Sequence, residues 1–356
     1  MAGHPDVAVI GAGVTGCSCA LTLAEAGLRV RVHEAREVAG GASGRNGGFA
    51  LRGLAAAYDV ARVKLGGERA GALWRLTELT LDRIEALAGD AFRRTGSLRL
   101  AANDREARFV RREYDALRED GFTAEWLTEL GPALDGRFGC ALLHPGDGAL
   151  QPARWVRRLA ARAAEAGAEI REHNPVTTVD DLDADQIVIA TDGYTHGLSP
   201  SLDHAVRPTR GQVIVTEPLP KQFYPRPHYT CDGFRYWHQP DNGRLVLGGF
   251  RDVSLEAEWT REEATTPVIQ TALESFAREL LRDQPRITHR WAGIFGTTAD
   301  LLPLVGRVPG DDRLWVSVGY AGHGNVLGLA CGELVAGAIL GRLAPELEPF
   351  DPARLL

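Results

Sequence analysis

Short apolar runs alternate with a glycine-rich turn in the N-terminal part of the chain. Residues 7–10, Val-Ala-Val-Ile, form a β-branched run that is typical of a buried parallel strand. Residues 17–26 have the pattern of a helix that ends at Gly27, and residues 28–33 return to an alternating β-branched pattern. With the glycines of residues 11–16 between the first strand and the helix, the pattern predicts a strand–turn–helix–strand unit.

A second junction of the same kind is predicted near the C-terminus. Residues 314–318 have the pattern of a strand, residues 326–340 that of a helix, and residues 319–325 form a glycine-containing turn between them. The Pro-rich residues 217–228 indicate a loop or a sheet connection. The charged residues 104–120 predict a helix that is most simply a solvated face. No internal repeat or low-complexity linker interrupts these patterns.

The glycines of the first turn have the spacing Gly-x-Gly-x-x-Gly that is typical of dinucleotide binding. Gly11 permits the tight turn, Gly13 lets a pyrophosphate approach the backbone, and Gly16 lets helix and strand pack closely. The N–H groups and dipole of the helix N-terminus favour the phosphates. Glu34 follows about 20 residues later, where an acid hydrogen-bonds ribose hydroxyls and disfavours a 2′-phosphate. By itself this unit fits either NAD or FAD.

Length, charge and cysteine content narrow the class of protein. The 356 residues suffice for one large or two medium domains, and a net charge of −7 disfavours a general nucleic-acid binder. The five cysteines are odd in number and lack paired CxxC motifs, so we expect reduced thiols in a cytoplasmic protein and no metal site. Residues 1–6 are too short and polar for a signal peptide, and no apolar run reaches about 18 residues, so we expect no transmembrane span.

A glycine-rich segment at residues 42–48, Ala-Ser-Gly-Arg-Asn-Gly-Gly, can bring backbone amides and one guanidinium close to a flat polar ligand. By composition alone, a flexible surface loop is the alternative. The segment resembles the flavin-contacting loop of the D-amino-acid-oxidase-like flavoproteins, and is most similar to that of the gamma-glutamylputrescine oxidoreductase type. Further motifs that resemble this family follow in order along the chain, at residues 151–152, 166–170, 187–193, 210–212, 291–306 and 319–324.

The resemblance implies an α/β fold in which a Rossmann-like FAD-binding domain is interleaved with an α+β substrate domain built on a mixed β-sheet. The FAD domain would comprise residues 1–80, 150–205 and 300–356, and the substrate domain residues 81–149 and 206–299. The helix N-terminus after the second turn can stabilise the electron-rich edge of a reduced flavin, which nicotinamide does not require. The cofactor is therefore predicted to be FAD.

The predicted FAD contacts come from both glycine-rich turns, from the segment between residues 34 and 48, and from strand ends. They are Gly11, Gly13, Val14, Thr15, Gly16, Glu34, Ala35, Arg36, Ala42, Ser43, Arg45, Asn46, Gly47, Gly48, Val176, Thr191, Gly193, Trp291, Gly322, His323, Gly324, Asn325 and Val326. Residues 291–300 contain no cysteine where sarcosine-oxidase-like members attach FAD covalently, so we expect non-covalent FAD.

The resemblance also implies the chemistry and the candidate site residues. A hydride passes from the carbon that bears a neutral amine to flavin N5, and the imine then hydrolyses to a carbonyl compound. Phe295 and Val326 stand where relatives carry carboxylate-binding cations, whereas Arg52 matches such an arginine. Val246 replaces an oxygen-activating lysine, so either O2, with H2O2 formed, or another acceptor would reoxidise the flavin. The predicted catalytic-site residues are Arg52, Phe49, Tyr236, Phe295 and His323.

These features favour an FAD-dependent oxidoreductase that acts on a primary or secondary amine. The alternative is an amino-acid oxidase or dehydrogenase that uses Arg52 to bind the carboxylate of a D-amino acid, glycine or an N-methyl amino acid. A third class is a flavin-binding protein without turnover, whose flavin no amine would bleach. We expect a small-molecule substrate and a monomer or small homo-oligomer.

Overall fold

The computed structural model describes residues 4–356. The expectation of no signal peptide concerns residues 1–6, of which residues 1–3 lie outside the described residues. No helix in the described part has both the length and the apolar composition that crossing a membrane requires. This part forms nine α-helices: α1 Val14–Glu25, α2 Ala42–Arg45, α3 Tyr58–Leu65, α4 Gly67–Ala88, α5 Asp104–Glu119, α6 Pro152–Glu165, α7 Pro200–Ala205, α8 Pro267–Leu281 and α9 Gly324–Ile339.

Residues 4–356 also contain the strands of three sheets. In chain order they are β1 Val7–Ile10, β2 Val30–His33, β3 Phe49–Ala50, β4 Phe92–Arg93, β5 Ser97–Ala101, β6 Glu125–Leu127, β7 Cys140–His144, β8 Gly148–Leu150, β9 Glu169–Arg171, β10 Gln186–Ile189, β11 Arg207–Pro218, β12 His228–Thr230, β13 Arg235–His238, β14 Arg244–Gly249, β15 Ile287–Thr297, β16 Leu304–Arg307 and β17 Leu314–Val318.

The first sheet has six strands in the order β16-β17-β10-β1-β2-β9, and only β16 runs antiparallel to its neighbour. Helix α1 packs against α6 and α9. The side chains of β1 alternate between two apolar clusters: Val7 and Val9 belong to one, Ala8 and Ile10 to the other. A strand buried on both faces explains the continuous apolar run, and the predicted strand–turn–helix–strand unit is confirmed.

The two predicted helices begin earlier than their apolar patterns do. Helix α1 begins at Val14 rather than at residue 17, and α9 begins at Gly324 rather than at residue 326. In both cases, residues that we assigned to the turn form the first helical turn. Gly16 and Gly324 lie there, and glycine adds nothing to the apolar pattern from which the helix was predicted. A Cβ on Gly16 would lie 1.9 Å from the carbonyl oxygen of Gly11, so only glycine fits inside this part of α1.

The second sheet has eight strands in the order β15-β11-β14-β13-β12-β5-β7-β6. It is mixed, since β12 pairs with β5 in parallel and the other neighbours are antiparallel. Helix α8 packs against β11 and β14, whereas strands β3, β8 and β4 form a small third sheet. The predicted α/β fold with a mixed second sheet is confirmed. The division into two domains stays a prediction.

Helix α5 differs in one respect from the expected solvated helix. It presents Val110, Ala116 and Leu117 to the interior, together with the carboxylate of Glu113. Glu113 accepts a 2.5 Å hydrogen bond from the buried Arg99 of β5. The expectation of a solvated face was wrong for these buried residues of α5. A charged residue in a buried ion pair cannot be distinguished by sequence from one on a solvated face.

Candidate active site

The first glycine turn joins β1 to α1 beside the end of β10. Gly11 has a φ of 103°, and a Cβ there would lie 2.8 Å from the carbonyl oxygen of Ala190. Val14 and Thr15 are buried in the first turn of α1, and the Thr15 hydroxyl donates to the Tyr320 hydroxyl at 3.1 Å. The turn therefore combines a positive φ at Gly11 with close packing of the first turn of α1, as the glycine spacing predicts.

The carboxylate of Glu34 lies beside this turn, at the end of β2. It accepts hydrogen bonds from the backbone N–H of Ala12 at 2.8 Å and from that of Arg36 at 2.9 Å. Ala35 lies between the acid and Arg36 in the chain. The two bonds hold the carboxylate close to the turn, the location at which an acid reaches the ribose of a dinucleotide.

Residues 42–48, which we call the flavin loop, form hydrogen bonds with the first turns of both α1 and α9. Ser43 Oγ accepts a hydrogen bond from the backbone N–H of Val14 at 3.0 Å. The side-chain amides of Asn46 and Asn325 pair reciprocally at 3.1 and 3.0 Å, and Asn325 also donates to the Phe49 carbonyl at 2.8 Å. The predicted residues of the loop and of the second turn are thus brought together.

Glu263 holds two arginines of the predicted cofactor site, a relationship that our sequence analysis missed. Its carboxylate accepts hydrogen bonds from Arg36 at 2.7 Å and from Arg45 at 2.8 Å, and from the Tyr194 hydroxyl. Burial opposes ionisation, but the bonds from Tyr194 and Arg36 lower the pKa of Glu263. Burial and the adjacent carboxylate raise the pKa of Tyr194 to about 12. The cluster joins the connection before α8 to the flavin loop.

One face of the second sheet covers the flavin loop. Trp291 Nε1 donates to the Arg45 carbonyl at 2.7 Å, and a Cβ on Gly293 would lie 3.1 Å from the Cβ of Arg45. The Tyr236 ring is equally close, since a Cβ on Gly47 would lie 2.7 Å from it. Phe295 follows Gly293 on the same face of β15. The predicted residues of β13 and β15 therefore share one surface.

Phe49 forms the aromatic centre of this surface. Its ring centroid lies 5.5 Å from that of Tyr236 and 5.6 Å from that of His238, both in edge-on contacts. Burial raises the pKa of Tyr236 to about 12 and lowers the pKa of His238 to about 4. At neutral pH these three rings are therefore uncharged, which makes this part of the site apolar.

The second glycine turn lies at the N-terminus of α9. His323 precedes the helix, and burial lowers the pKa of its imidazole to about 4. Gly322 has a φ of 91° and an exposed backbone, whereas Val326 is buried in the first helical turn. The turn thus presents the N-terminus of α9 next to the Asn46–Asn325 amide pair.

Asp192 anchors this turn and was missed as a site residue. Its buried carboxylate accepts from the backbone N–H of Gly319 at 2.8 Å and from that of Gly296 at 3.0 Å. Burial raises the pKa of Asp192 although these bonds oppose the shift. The sequence motif had singled out its neighbours Thr191 and Gly193. A Cβ on Gly193 would lie 2.6 Å from the backbone of Phe295, so this glycine serves close packing against β15.

Val176 belongs to an apolar cluster of the first sheet. It is partly buried and packs against the apolar cluster on the α7 side of the first sheet, with Val179 and Leu182. Its predicted contact with FAD stays a prediction.

Arg52, predicted to contact substrate, lies in a buried ion pair. Its Nε donates to Asp147 at 2.9 Å and its Nη1 donates to Glu78 at 2.7 Å, while the guanidinium lies 5.1 Å from the Trp74 ring centroid. Burial opposes the charge, but attraction to Asp147 raises the pKa of Arg52. Its Nη2 is buried without a hydrogen-bond partner among residues 4–356. These contacts are structural, and the contact with substrate stays a prediction.

The two helix N-termini have the donors that FAD requires. The N-cap residues of α1 and α9, Gly13 and His323, form no side-chain hydrogen bond to their helices. The N–H of Val14 donates to Ser43 Oγ, and the other first-turn N–H groups, which no N-cap side chain occupies, suit phosphates and the electron-rich edge of a flavin. In the described chain, Nδ1 of His323 is also buried and unpartnered. The residues present therefore fit FAD.

Comparison with known families agrees with this donor set. The sequence model of the family described as DAO, FAD dependent oxidoreductase, matches residues 6–338. Gamma-glutamylputrescine oxidoreductase of Escherichia coli strain K12 is 28% identical over 379 residues, which cover 97% of this chain and 85% of that protein. Glycine oxidase of Geobacillus kaustophilus strain HTA426 is 27% identical over 376 residues, which cover 98% and 97% of the two chains.

Solved structures share the fold over nearly the whole chain. The crystal structure of glycine oxidase from Geobacillus kaustophilus superposes with a TM-score of 0.82 at 23% identity and covers 99% of both chains. That of L-proline dehydrogenase from P. horikoshii has a TM-score of 0.83 at 21% identity and covers 99% of this chain and 98% of its own.

Proposed function

Because the chain belongs to the DAO family of FAD-dependent oxidoreductases, we propose that it oxidises a primary or secondary amine to an imine, which hydrolyses to a carbonyl compound. That it is an FAD-dependent enzyme acting on amines or amino acids follows from the family and its relatives. The observation that carries the finer proposal is the uncharged aromatic pair of Phe49 and Tyr236, with Tyr236 against Gly47 of the flavin loop and Phe295 on the same sheet face. When bound, FAD supplies the hydride acceptor.

Each end of the cofactor has its own group of residues in this proposal. The N-terminus of α1 and the glycines around it bind the pyrophosphate, and Glu34 binds the ribose hydroxyls. Glu263 fixes Arg36, which precedes the flavin loop, and Arg45, which belongs to it. The N-terminus of α9, preceded by His323, stabilises negative charge at the flavin edge.

The protein's contribution to the reaction is orientation and exclusion of water. A neutral amine is the reactive form, because its lone pair stabilises the carbon centre as the C–H bond breaks. An apolar surface favours that neutral form by penalising the ammonium ion. His238 and Tyr236 remain uncharged near pH 7 and keep the surface apolar. No acid–base pair is required for this selection.

The proposal is tested by product analysis with a panel of primary amines, secondary amines and amino acids. The purified yellow protein is incubated in air with each compound, and carbonyl products are quantified. We expect product from primary or secondary amines that have no carboxylate on the carbon bearing the nitrogen, at rates above those with α-amino acids. Product from α-amino acids alone would contradict the proposal. This protein has Val246 where some relatives have an oxygen-activating lysine. Comparing the rate of O2 consumption with the rate of reduction of an artificial acceptor shows which of the two reoxidises the flavin.

Non-covalent attachment of FAD is a further part of the proposal. No cysteine stands in residues 291–300, and Cys17, Cys19, Cys140 and Cys331 are buried away from solvent. Acid precipitation should release all yellow colour into the supernatant. Colour retained in the washed pellet would overturn this part of the proposal.

A second candidate, oxidation of an amino acid with Arg52 as the carboxylate ligand, is favoured by one observation. The Nη2 atom of Arg52 is buried and finds no acceptor within the described residues, so one donor is left for a ligand. The glycine oxidase relatives are named for an amino-acid substrate. An Arg52→Lys variant that lost activity only toward carboxylate-bearing amines, with an unchanged melting temperature, would support this candidate.

A further inference from the structure

A second arginine, Arg251, lies at the end of the sheet face that covers the flavin loop. Strand β14 ends at Gly249 with a φ of 115°, and Phe250 follows in the left-handed conformation with a φ of 64°. This bend starts the short 3₁₀ turn Arg251–Ser254 and sends the Arg251 side chain across the neighbouring strands. Its guanidinium carbon lies 4.4 Å from the Phe234 ring centroid and 5.6 Å from that of Phe295.

The guanidinium of Arg251 has no protein acceptor. In the part of the chain that the structure describes, it takes part in no hydrogen bond or ion pair. The adjacent carboxylate of Asp252 instead accepts a 2.7 Å hydrogen bond from Arg235. Arg251 is also partly buried, and loss of solvation lowers its pKa, with Tyr236 and Asp252 acting in the opposite direction.

This situation differs from that of Arg52. Arg52 binds two carboxylates of the protein itself, so its charge is already compensated. Arg251 has five N–H donors, no acceptor among residues 4–356, and two aromatic rings as neighbours. A partly desolvated cation of this kind is stabilised by an incoming anion, and a planar carboxylate matches the guanidinium geometry best.

The location of Arg251 relates it to the proposed reaction site. Phe295 is one of the two rings that Arg251 contacts, and Tyr236 is close enough to influence the pKa of Arg251. Tyr236 contacts Gly47 of the flavin loop, and Phe295 lies on the same face of the sheet. A carboxylate bound by Arg251 would thus place an attached amine over the same aromatic surface.

We propose that Arg251 binds the carboxylate of the substrate, and that the substrate class is an amine that carries a carboxylate. This inference rests on the proposed function, which it makes more specific. The aromatic surface accepts the neutral amine, and Arg251 selects the anionic group at the other end of the molecule. Arg52 keeps its structural ion pair with Asp147.

The first test compares compound pairs that differ only in a carboxylate remote from the amine carbon: β-alanine with ethylamine, 4-aminobutyrate with propylamine, and N-methyl-β-alanine with N-methylethylamine. Anaerobic flavin reduction is measured in the wild type and in Arg251→Gln and Arg251→Lys. We expect at least one acid to reduce the wild-type flavin at concentrations about tenfold or more below its amine partner. Arg251→Gln should abolish that preference, and Arg251→Lys should retain part of it.

The matched control is Arg105→Gln. Arg105 is likewise stacked on a ring, that of Phe109 at 5.7 Å, but is exposed on α5. The control removes the same charge from the protein and should leave the carboxylate preference intact. Equal preferences in the wild type and in Arg251→Gln would overturn the inference.

The second test needs no turnover. Acetate and benzoate are titrated into the FAD-loaded proteins, and binding is followed through the visible flavin spectrum and by calorimetry. We expect Arg251→Gln to weaken anion binding about tenfold or more, with an unchanged Kd for FAD. Equal anion affinities in the wild type and in Arg251→Gln would overturn the inference. If no amine bleaches the flavin but anion binding still depends on Arg251, the proposed function fails and the anion site stands.

Discussion

Nη1 of Arg45 donates a 2.8 Å hydrogen bond to the carboxylate of Glu263, across 218 residues of sequence. The same carboxylate accepts from Arg36 at 2.7 Å, so two cations of the predicted FAD-binding segment are fixed by an acid from the connection before α8. Without that acid, the two guanidinium groups would repel each other and move apart. The arrangement of these two predicted cofactor residues therefore depends on a residue outside every predicted cofactor motif.

Replacing Glu263 should weaken FAD binding. In Glu263→Gln the two arginines lose their common anchor, and we expect the Kd for FAD to rise about fivefold, the equivalent of about 1 kcal/mol for a partly exposed ion pair. The measurement is titration of apoprotein by quenching of FAD fluorescence. The control is the exposed neighbour Glu262→Gln, which should bind FAD like the wild type. Identical affinities in both variants would show that Glu263 does not organise the site.

Gly16→Ala should abolish FAD retention. The added Cβ would lie 1.9 Å from the Gly11 carbonyl oxygen, so the first turn must open and the N–H groups that face the phosphates would be displaced. We expect colourless purified protein, measured as the ratio of visible to protein absorbance. Gly139→Ala is the control, because a Cβ there meets nothing within 4 Å. A Gly16→Ala protein with a full complement of FAD would refute the role of the turn.

Acid should destabilise the protein through His238. Burial lowers the pKa of His238 to about 4, below the ordinary histidine value of 6.5. The unfolded chain thus binds a proton between these two pH values while the folded chain does not, and stability falls as the pH drops from 6.5 to about 4. Protonation should cost roughly 3 kcal/mol, from about 1.4 kcal/mol for each pH unit.

Urea unfolding at pH 7 and at pH 4 measures this loss. His238→Gln should reduce the difference in unfolding free energy between the two pH values, whereas the exposed His204→Gln should leave it unchanged. If His238→Gln shows the full wild-type loss on acidification, another group is responsible.

Arg52→Gln should destabilise the fold rather than only alter substrate choice. Removing the guanidinium leaves the buried carboxylate of Asp147 without its 2.9 Å partner. We expect the free energy of unfolding to fall by about 3–5 kcal/mol, as when one member of a buried ion pair is removed. Arg62→Gln, which removes surface pairs with Glu119 and Asp120, should leave the free energy of unfolding nearly unchanged. An unchanged melting temperature in Arg52→Gln would disprove the structural role.

The local features of the cofactor site were predictable because each depends on a few consecutive residues. The turn at Gly11–Gly16 combines a strand, a positive φ and a helix N-terminus within a short segment, and Glu34 follows at a fixed spacing. The fold class followed from the ordered motifs. The starts of α1 and α9 were wrong by two or three residues because glycines inside a helix have no apolar pattern.

The long-range relationships could not be predicted in the same way. Glu263 and Arg251 lie between β14 and α8, away from the family motifs at residues 210–212 and 291–306, and nothing near them in sequence marks a ligand site. The direction of Arg251 depends on the left-handed conformation of Phe250, and that of Glu263 on how the connection before α8 crosses the flavin loop. The buried Glu113–Arg99 pair of α5 likewise required the tertiary structure.

Anaerobic stopped-flow mixing of the yellow protein with amines measures whether an amine is oxidised at the flavin loop. We expect an amine to bleach the visible flavin band in a single substrate-dependent phase, with the strongest response from an amine that bears a carboxylate. Admission of an electron acceptor should restore the band with release of a carbonyl product. A flavin that no amine or amino acid bleaches would show that the protein does not oxidise amines.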